Sequence, residues 1–529
     1  MLIRNGAWDK ETEVVVVGFG SAGAAAAVTA HEAGAEAVIL EKQRFGLGPD
    51  AGNHYSTSHM SGGVFLQPTD REATLRYMSA LSRTDSGHMY TPPGGWTEDG
   101  LLRAYTDHAL SNKDWVEKMG AELTLVGEGA EHNFPGVETF RSYRFRDSGL
   151  GMMRFFEDIV RKKQIEVMYS TSAVKLLQDL DGKVVGVQAA TGEDSRKTIA
   201  IRATKGVVLT LGGFEFDEQM KLNYLRAYPA YFTGSEACAG DGVRMVLDVG
   251  AQLWHMNCVS GRYVAKFPEF PNGITMWVGM RRSGKPCGFI LVDKWGRRYT
   301  NERVKPHTLY YEGGLFDSQK LDFPRIPSYW IIDRRRITAA RLSIQTSGIT
   351  GPMGRYMWSR DNSAEIERGW IISGDSPRDL AVKIGMNPDV LSKTIATYNG
   401  YCAAGCDPDF NRAEDDLVPL NEPPYYAVRV WPGGPNTQGG AKRNAKAEIL
   451  NVDGEPIPGL YGAGEFGSMF GMLYPSGGGN VSECFAFGRI AGESAARRKS
   501  SDAGASGSER CSAARTGEGD TSGDQAAGA

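Results

Sequence analysis

Residues 14–27 read VVVVGFGSAGAAAA, and this stretch decides the fold. Its four valines form a short apolar, β-branched run, which is typical of a buried parallel strand. The alanine-rich stretch after the glycines has a high helix propensity. Residues 38–40 (VIL) predict the next strand. The sequence therefore predicts a βαβ unit, whose crossover is right-handed by the usual rule.

The glycines between the first strand and the helix have the GxGxxG spacing of a dinucleotide site. Gly18 permits the tight turn, Gly20 lets the backbone approach a pyrophosphate, and Gly23 allows close packing of helix on strand. The free N–H groups at the start of the helix suit phosphates. Glu41 closes the second strand, where a carboxylate can accept hydrogen bonds from a ribose diol. An acid at this position argues against a 2′-phosphorylated cofactor.

Two further glycine-rich segments indicate which dinucleotide is bound. Residues 56–63 read STSHMSGG, and residues 462–490 contain a glycine turn that leads into a helix. Nicotinamide enzymes rarely need three such segments spread along 460 residues, whereas the larger, permanently bound FAD commonly does. The sequence therefore predicts FAD.

Composition narrows the class of protein. The length of 529 residues predicts two or three globular units. A formal net charge of −4 excludes a strongly basic nucleic-acid or membrane binder. No apolar run reaches the roughly 18–20 residues of a membrane helix, and the charged start lacks a signal peptide's apolar core. Seven cysteines without a CxxC pair favour reduced thiols. We therefore expect a cytoplasmic protein with no metal site, no nucleic-acid partner and no membrane span.

The pattern changes twice along the rest of the chain. From about residue 230 to residue 420 it becomes a mixture of short elements rich in aromatic residues and arginine, which indicates an inserted domain. Glycine-rich character returns after the proline pair at 423–424. Residues 499–529 contain no Leu, Ile, Val or aromatic side chain. They cannot offset the entropy of ordering and are predicted to be disordered.

Over residues 12–498 the chain resembles the fumarate reductase / 3-ketosteroid dehydrogenase superfamily of FAD proteins. The resemblance rests on these segments: VVVVGFGSAGAAAA, EK at 41–42, HMSGG, VVLTLGGF (207–214), GDGVRM (240–245), VDKWGRRYTNE (292–302), IPGLYGAGE (457–465) and GGGNVSECFAFGRIAG (477–492). It implies an α/β fold, with a discontinuous Rossmann-like FAD-binding domain at 1–225 and 425–498. It also implies an inserted α+β capping domain at 226–424.

The resemblance also implies a set of FAD contacts. They are Gly18, Gly20, Ser21, Ala22, Gly23, Glu41, Lys42, Ser56, Thr57, Gly62, Gly63, Val174, Glu465, Asn480, Val481 and Ser482. The succinate dehydrogenase branch attaches FAD through a histidine six residues before the paired glycines, where this chain has Ser56. A non-covalent FAD is therefore expected. The glycines at 477–479 should let the last helix direct its N-terminus at the flavin.

Departures from the fumarate reductases bear on the substrate. Tyr474 stands where fumarate reductases have an arginine that binds a substrate carboxylate. Pro435 stands in place of a histidine, and Pro306 in place of the arginine that serves those enzymes as the catalytic acid. A dicarboxylate would lose its charged partners, each worth roughly 1.5–3 kcal/mol. Tyr474 with Ser476 is most similar to the Δ4-(5α) type of 3-ketosteroid dehydrogenase, while the Δ1 type more often has Tyr-Pro-Gly.

The chemistry implied is dehydrogenation beside a ketone. Tyr474 is assigned to the carbonyl or to proton transfer, with Ser476 as its relay. Tyr310 or Tyr311 is the candidate partner from the capping domain. The histidines, among them His307, are expected to be packed or simply polar residues without a catalytic role.

The sequence predicts an enzyme that desaturates, or in reverse saturates, the C–C bond α,β to a ketone of a bulky, apolar, steroid-like substrate. One alternative is an ene-reductase of a carboxylated enoate, with Arg303 or the arginines at 281–282 binding the anion. Another is a flavoprotein subunit that relays electrons to a partner. The expected partners are a small ketone or enone and an unidentified electron acceptor or donor.

Overall fold

The computed structural model describes residues 8–46, 55–83, 97–192, 197–279, 286–303, 306–343 and 356–500. Of the tail predicted to be disordered, residues 501–529 lie outside these ranges. No helix within the ranges is both long and apolar enough to cross a bilayer.

The described strands share three main sheets and one short pair. In chain order they are β1 Lys10–Val17, β2 Ala37–Leu40, β3 Val64–Pro68, β4 Leu123–Glu128, β5 Phe140–Phe145, β6 Glu166–Met168, β7 Thr171–Gln178, β8 Val184–Thr191, β9 Lys197–Leu209, β10 Tyr231–Phe232, β11 Leu253–Trp254, β12 Val259–Ala265, β13 Ile274–Thr275, β14 Phe289–Val292, β15 Ser328–Asp333, β16 Ile372–Gly374, β17 Tyr425–Thr437, β18 Gly440–Ala441, β19 Glu448–Leu450 and β20 Pro456–Gly462.

The described α-helices vary from four to nineteen residues. In chain order they are α1 Ser21–Glu32, α2 Thr57–Met60, α3 Arg71–Arg83, α4 Asp99–Ala109, α5 Asn112–Lys118, α6 Ser148–Lys162, α7 Glu218–Tyr224, α8 Asp241–Leu247, α9 Leu309–Gly313, α10 Arg334–Ala339, α11 Ser363–Glu367, α12 Pro377–Lys383, α13 Pro388–Ala404 and α14 Gly479–Arg497.

The predicted βαβ unit forms the centre of the first sheet. Strand β1 pairs in parallel with β2 and with β9, and β20 extends the sheet beyond β9. Val14 and Val16 pack into one core, while Val15 and Val17 pack into another on the opposite face. Because both faces are covered, the strand reads as a continuous apolar run. The predicted α/β class is confirmed.

Helices α1 and α14 pack closely beside this sheet because their contact is made of small residues. A Cβ on Gly488 would lie 2.7 Å from the Ala22 carbonyl oxygen, and one on Gly492 would lie 2.2 Å from that of Ala26. Substitution at either glycine would force the helices apart. The first turn of α1 therefore lies beside the middle of α14, at Gly488.

The second sheet has the strand order β13-β12-β17-β15-β14, with β10 and β16 also paired to β17. The boundary expected at residue 425 requires correction, because β17 is the central strand of this second sheet. The proline pair at 423–424 ends a loop, but the β-forming run YYAVRV after it finds its ladder partners in the inserted region. The chain rejoins the first sheet only at β19.

A third, antiparallel sheet has the order β3-β5-β4. Helices α4 and α14 pack near β3, and the segment between β4 and β5 carries Glu131. The backbone N–H of Glu131 donates to the carbonyl of Pro475, 3.0 Å away. This sheet therefore connects the glycine-rich C-terminal segment with residues that face the inserted region.

Candidate active site

The GxGxxG turn lines a trench at the carboxyl end of β1. Gly18 has φ +101°, and a Cβ there would lie 2.6 Å from the Thr210 carbonyl oxygen. A Cβ on Gly23 would lie 2.0 Å from the carbonyl oxygen of Gly18. Both positions therefore require glycine, for the turn and for helix packing respectively. Gly20 leaves bare backbone facing the trench.

Glu41 lies at the end of β2 and is 6% exposed. Its carboxylate accepts hydrogen bonds from the backbone N–H of Phe19 at 3.0 Å and of Gln43 at 2.9 Å. It therefore braces the glycine turn while lining the trench. Lys42, beside it, forms an ion pair of 2.6 Å with Asp241 across the trench.

The second glycine-rich segment covers the first turn of α1. Ser58 Oγ accepts the backbone N–H of Ser21 at 3.0 Å, and Ser56 caps the short helix α2 through a capping box with His59. Ser56, Thr57 and Ser58 all line the trench. Their hydroxyl groups and the helix N-terminus form the donor set that a pyrophosphate needs.

A second cavity, of about 380 Å³, continues the trench toward α14. Five lining residues are common to both: Ser21, Thr57, Ser58, Glu465 and Cys484. Gly62, Asn480 and Val481 line the second cavity only. Helix α14 begins at its edge, after Gly478 with φ +92°, so the positive end of the helix dipole lies beside it.

The residues present fit FAD. A carboxylate for a ribose lies at one end of the continuous trench, bare backbone and hydroxyl groups lie in the middle, and a helix N-terminus lies at the other end. A Cβ on Gly20 would intrude into the middle, 3.3 Å from Ser58 Oγ. The last helix and the first therefore contribute to the same elongated site.

Several predicted contacts lie behind the trench rather than along it. Ser482 is fully buried, and its hydroxyl lies 3.1 Å from that of Tyr105. A Cβ on Gly63 would lie 2.1 Å from the backbone carbon of Ser148, so this glycine permits close packing. Val174 is 50% exposed and does not line the trench, whereas residues 171–173 before it do.

Tyr474 lines the second cavity and is 5% exposed. Its hydroxyl oxygen accepts the backbone N–H of Asn480 at 2.8 Å. Burial raises the pKa of Tyr474 well above its ordinary value, so the side chain is a neutral phenol that keeps its own hydrogen to donate. This favours its role at a carbonyl over its role as a base. Ser476 lines the same cavity.

The structure does not bring Tyr310 or Tyr311 to the cavity. Tyr310 is fully buried in the core and packs edge-on against Tyr311, with 5.2 Å between ring centroids. The turn Pro306–Thr308 precedes α9 and directs both tyrosines inward. His307, three residues before Tyr310, lines the cavity instead. The sequence contained this histidine, but its spacing gave no sign of a site.

His307 is 4% exposed and has charged neighbours on both ring nitrogens. Nδ1 lies 2.5 Å from Glu131 Oε2, and Arg262 Nη2 lies 3.2 Å from Nε2. Because a guanidinium only donates, Nε2 is the acceptor and Nδ1 carries the hydrogen. The ring is therefore neutral, and burial together with Arg262 lowers the pKa of His307. Its centroid lies 4.6 Å from that of Tyr474.

Arg262, from β12, is the cation that the sequence did not predict. Its guanidinium lies 5.0 Å from the Trp277 ring, and its buried Nε has no hydrogen-bond partner among the described residues. Arg303, which the sequence offered for this role, pairs with Asp416 at 2.9 Å and does not line the cavity. The arginines at 281–282 lie outside the described residues.

The buried residues Glu215 and Cys238 form a cluster with the half-buried Glu465, and Cys238 and Glu465 line the trench. One ligand atom from each lies within 4.8 Å of the others. Burial raises the pKa of Glu215 to about 7, and burial together with the Glu215 charge raises that of Glu465. The two carboxyl groups therefore lose their protons at higher pH than exposed acids do.

Comparison with known proteins identifies the family of this chain. A family model described as an FAD binding domain matches residues 13–481. The NADH:fumarate oxidoreductase of Klebsiella pneumoniae is 28% identical over 511 residues, which cover 93% of this chain but 48% of the relative. This chain thus spans about half the length of that protein. The urocanate reductase of Eggerthella lenta is 29% identical over 517 residues, covering 92% of this chain and 75% of the relative.

A solved structure shares the fold over almost the whole chain. It is the 3-ketosteroid delta1-dehydrogenase from Sterolibacterium denitrificans in complex with 1,4-androstadiene-3,17-dione, with a TM-score of 0.76 and 20% identity. The match covers 92% of this chain and all of that one. The chain therefore belongs to the FAD binding domain family, and these similarities are consistent with the fumarate reductase / 3-ketosteroid dehydrogenase superfamily of FAD-dependent oxidoreductases.

Proposed function

We propose that the protein desaturates, or in reverse saturates, the carbon–carbon bond α,β to a ketone of a bulky, apolar, steroid-like substrate. The observation that carries the proposal is the Tyr474 phenol, buried and neutral in a cavity continuous with the FAD trench. A neutral donor suits a ketone oxygen, on which negative charge develops during the reaction.

Bound FAD supplies or accepts the hydride. Tyr474 accepts the Asn480 N–H, which fixes the phenol oxygen and leaves its own hydrogen for the substrate carbonyl. Ser476, two residues further on, offers a second hydroxyl in the same cavity. These donors polarise the carbonyl, so that the carbon next to it can lose or gain a proton.

The cavity lining supports an apolar substrate. Met60, Val64, Val126, Trp277 and Val481 contribute to it, on the flavin side and on the side of the inserted region. Apolar atoms form the larger part of the exposed wall, although many of the lining residues are polar; largely apolar walls with placed polar groups are typical of sites for small hydrophobic ligands. Similarity of fold to a steroid dehydrogenase is consistent with this reading.

A second candidate is reduction of a carboxylated enoate, and Arg262 favours it. A buried guanidinium with an unpartnered Nε is costly unless an anion or acceptor satisfies it. A substrate carboxylate could accept two parallel hydrogen bonds from it. Two relatives are named for fumarate and urocanate, which are both unsaturated carboxylates.

Turnover requires a second redox partner in either case, because FAD must return to its starting state. The sequence contains no CxxCH haem attachment and no cysteine run for an iron–sulfur cluster. We therefore propose that electrons are exchanged with a redox group that these 529 residues do not carry.

The test is anaerobic single turnover of the reduced holoprotein with 1,4-androstadiene-3,17-dione, fumarate or urocanate, each added alone. Our proposal predicts that the dienone restores the oxidised flavin spectrum and gains two hydrogens, and that Tyr474→Phe slows this step. Reoxidation by fumarate or urocanate but not by the dienone, with loss of the reaction in Arg262→Gln, would establish the second candidate instead.

A further inference from the structure

Glu131 and His307 form a buried pair at the edge of the cavity, 176 residues apart in the sequence. Besides the contact to Nδ1, Glu131 Oε1 accepts the backbone N–H of His307 at 3.3 Å. Both side chains are less than a tenth exposed. Burial alone would raise the pKa of Glu131, but the hydrogen bond from His307 holds it below its ordinary value. The carboxylate is therefore ionised and orients the imidazole.

The pair is built onto the same turn as Tyr474. Glu131 N–H donates to the carbonyl of Pro475 at 3.0 Å, and His132 Nε2 lies 2.9 Å from the carbonyl oxygen of Tyr474. The hydroxyl of Tyr77 also donates to the Pro475 carbonyl, at 2.8 Å. The imidazole and the phenol therefore have a fixed spacing, as groups that act on one substrate require.

Dehydrogenation beside a ketone needs a group that takes a proton from carbon. Tyr474 is a poor base because its pKa is raised, Arg262 has no lone pair to offer, and Ser476 is weakly basic. Glu465 also lines this cavity, but its carboxyl group lies in the cluster with Glu215 and Cys238. His307 is the described lining residue that presents an unprotonated ring nitrogen, Nε2, while a carboxylate holds the ring hydrogen on Nδ1. A carboxylate–histidine pair of this kind is an effective proton acceptor.

We propose that His307 is the catalytic acid–base of the site and that Glu131 is its positioning residue, an inference that rests on the proposed function. In the desaturating direction, the C–H bond next to the ketone breaks and its proton goes to His307 Nε2. The electron pair left behind forms the C=C bond as hydride leaves the neighbouring carbon for FAD. In the saturating direction the same proton returns to carbon.

Arg262 is hydrogen-bonded to His307 Nε2, the nitrogen that takes the proton. Its Nη2 donates to Nε2 at 3.2 Å, so substrate must displace this contact before proton transfer. The titratable and charged groups that face His307 are Glu131, His132, Arg262 and Tyr474. Glu131 is the negative group among them and therefore stabilises the imidazolium that forms beside Arg262.

The test compares His307→Gln and Glu131→Gln with His31→Gln, a matched change at an exposed histidine of α1. The first readout is the pH profile of anaerobic flavin reduction by 4-androstene-3,17-dione. The second is exchange of hydrogen for deuterium, in D₂O, at the carbon next to the ketone. We expect His307→Gln to reduce the rate of flavin reduction by on the order of 10²-fold or more. The same variant should also lose the acid limb of the pH profile and the deuterium exchange. Glu131→Gln should move the acid limb to lower pH, because the charge that favours imidazolium is gone.

Retention of the acid limb and of deuterium exchange in His307→Gln would overturn the proposal. Histidine ¹⁵N spectra of the holoprotein give a readout that needs no turnover. A neutral Nδ1–H tautomer, lost in His307→Gln, is expected, and an Nε2–H tautomer would contradict the proposal. Should only fumarate or urocanate react, the proposed function fails. The variants are then compared with that substrate, and an unchanged pH profile would still overturn the role of His307.

Discussion

Replacing Tyr474 by Phe removes one hydroxyl from the cavity and keeps the ring. Two effects follow from the structure. The substrate carbonyl loses its phenol donor, and removal of one such donor to developing charge typically costs about 10²–10³-fold in turnover. The N–H of Asn480, in the first turn of α14, also loses its acceptor at 2.8 Å. A buried donor left unsatisfied costs about 1–3 kcal/mol of stability.

Tyr105→Phe is the matched control for this change. Tyr105 is fully buried, its hydroxyl lies 3.1 Å from Ser482 Oγ, and it does not line the cavity. Both variants should lower the melting temperature, but only Tyr474→Phe should slow turnover. The assay is stopped-flow reoxidation of the reduced holoprotein by 1,4-androstadiene-3,17-dione, normalised to FAD content. A Tyr474→Phe rate close to that of the unmodified protein would refute the role of the phenol.

Three further predictions concern the cofactor and the buried acids. Because Ser56 offers no histidine for attachment, acid precipitation should release FAD into the supernatant, and a yellow pellet would contradict this. Glu41→Ala should weaken FAD binding, measured by fluorescence titration, since it removes the carboxylate facing the ribose end and the acceptor of the Phe19 N–H; unchanged affinity would show that the trench is misassigned. Folding raises the pKa of Glu215 from 4.5 to about 7. Ionisation of Glu215 therefore destabilises the folded state progressively as the pH rises from 4.5 to about 7, and to its full extent at higher pH. Glu215→Gln should therefore raise the free energy of unfolding at alkaline pH more than it does below pH 4.5, as measured by denaturant unfolding at each pH; an equal effect at both would contradict the shift.

The FAD half of the site could be predicted from the sequence because its determinants are local. The strand, the glycine turn and helix α1 are contiguous, and Gly18 and Gly23 are required by contacts within that unit or with Thr210, the residue after β9. The apolar run of β1 also indicated a strand with both faces covered. The spacing of the glycines thus predicts the turn and the close packing of α1 from the sequence alone.

The substrate half could not be predicted because its residues converge from distant elements. Glu131 follows β4, Arg262 lies in β12, and His307 lies in a turn before α9. Each is an ordinary polar residue in its own segment, and only the tertiary fold brings them together. The resemblance pointed to the tyrosine pair at 310–311 as the partner from the capping domain, but Tyr310 is fully buried in the core. The boundary at 425 failed because β17 takes its hydrogen-bond partners from β12 and β15.

The central claim is that the cavity beside FAD acts on a carbon–carbon bond conjugated to a ketone rather than to a carboxylate. Internal competition tests it most directly: the reduced holoprotein is mixed anaerobically with equal amounts of 1,4-androstadiene-3,17-dione and fumarate, and the products of one turnover are identified by mass spectrometry. The account predicts that the dienone gains two hydrogens while fumarate remains unchanged. Formation of succinate with the dienone intact would contradict it.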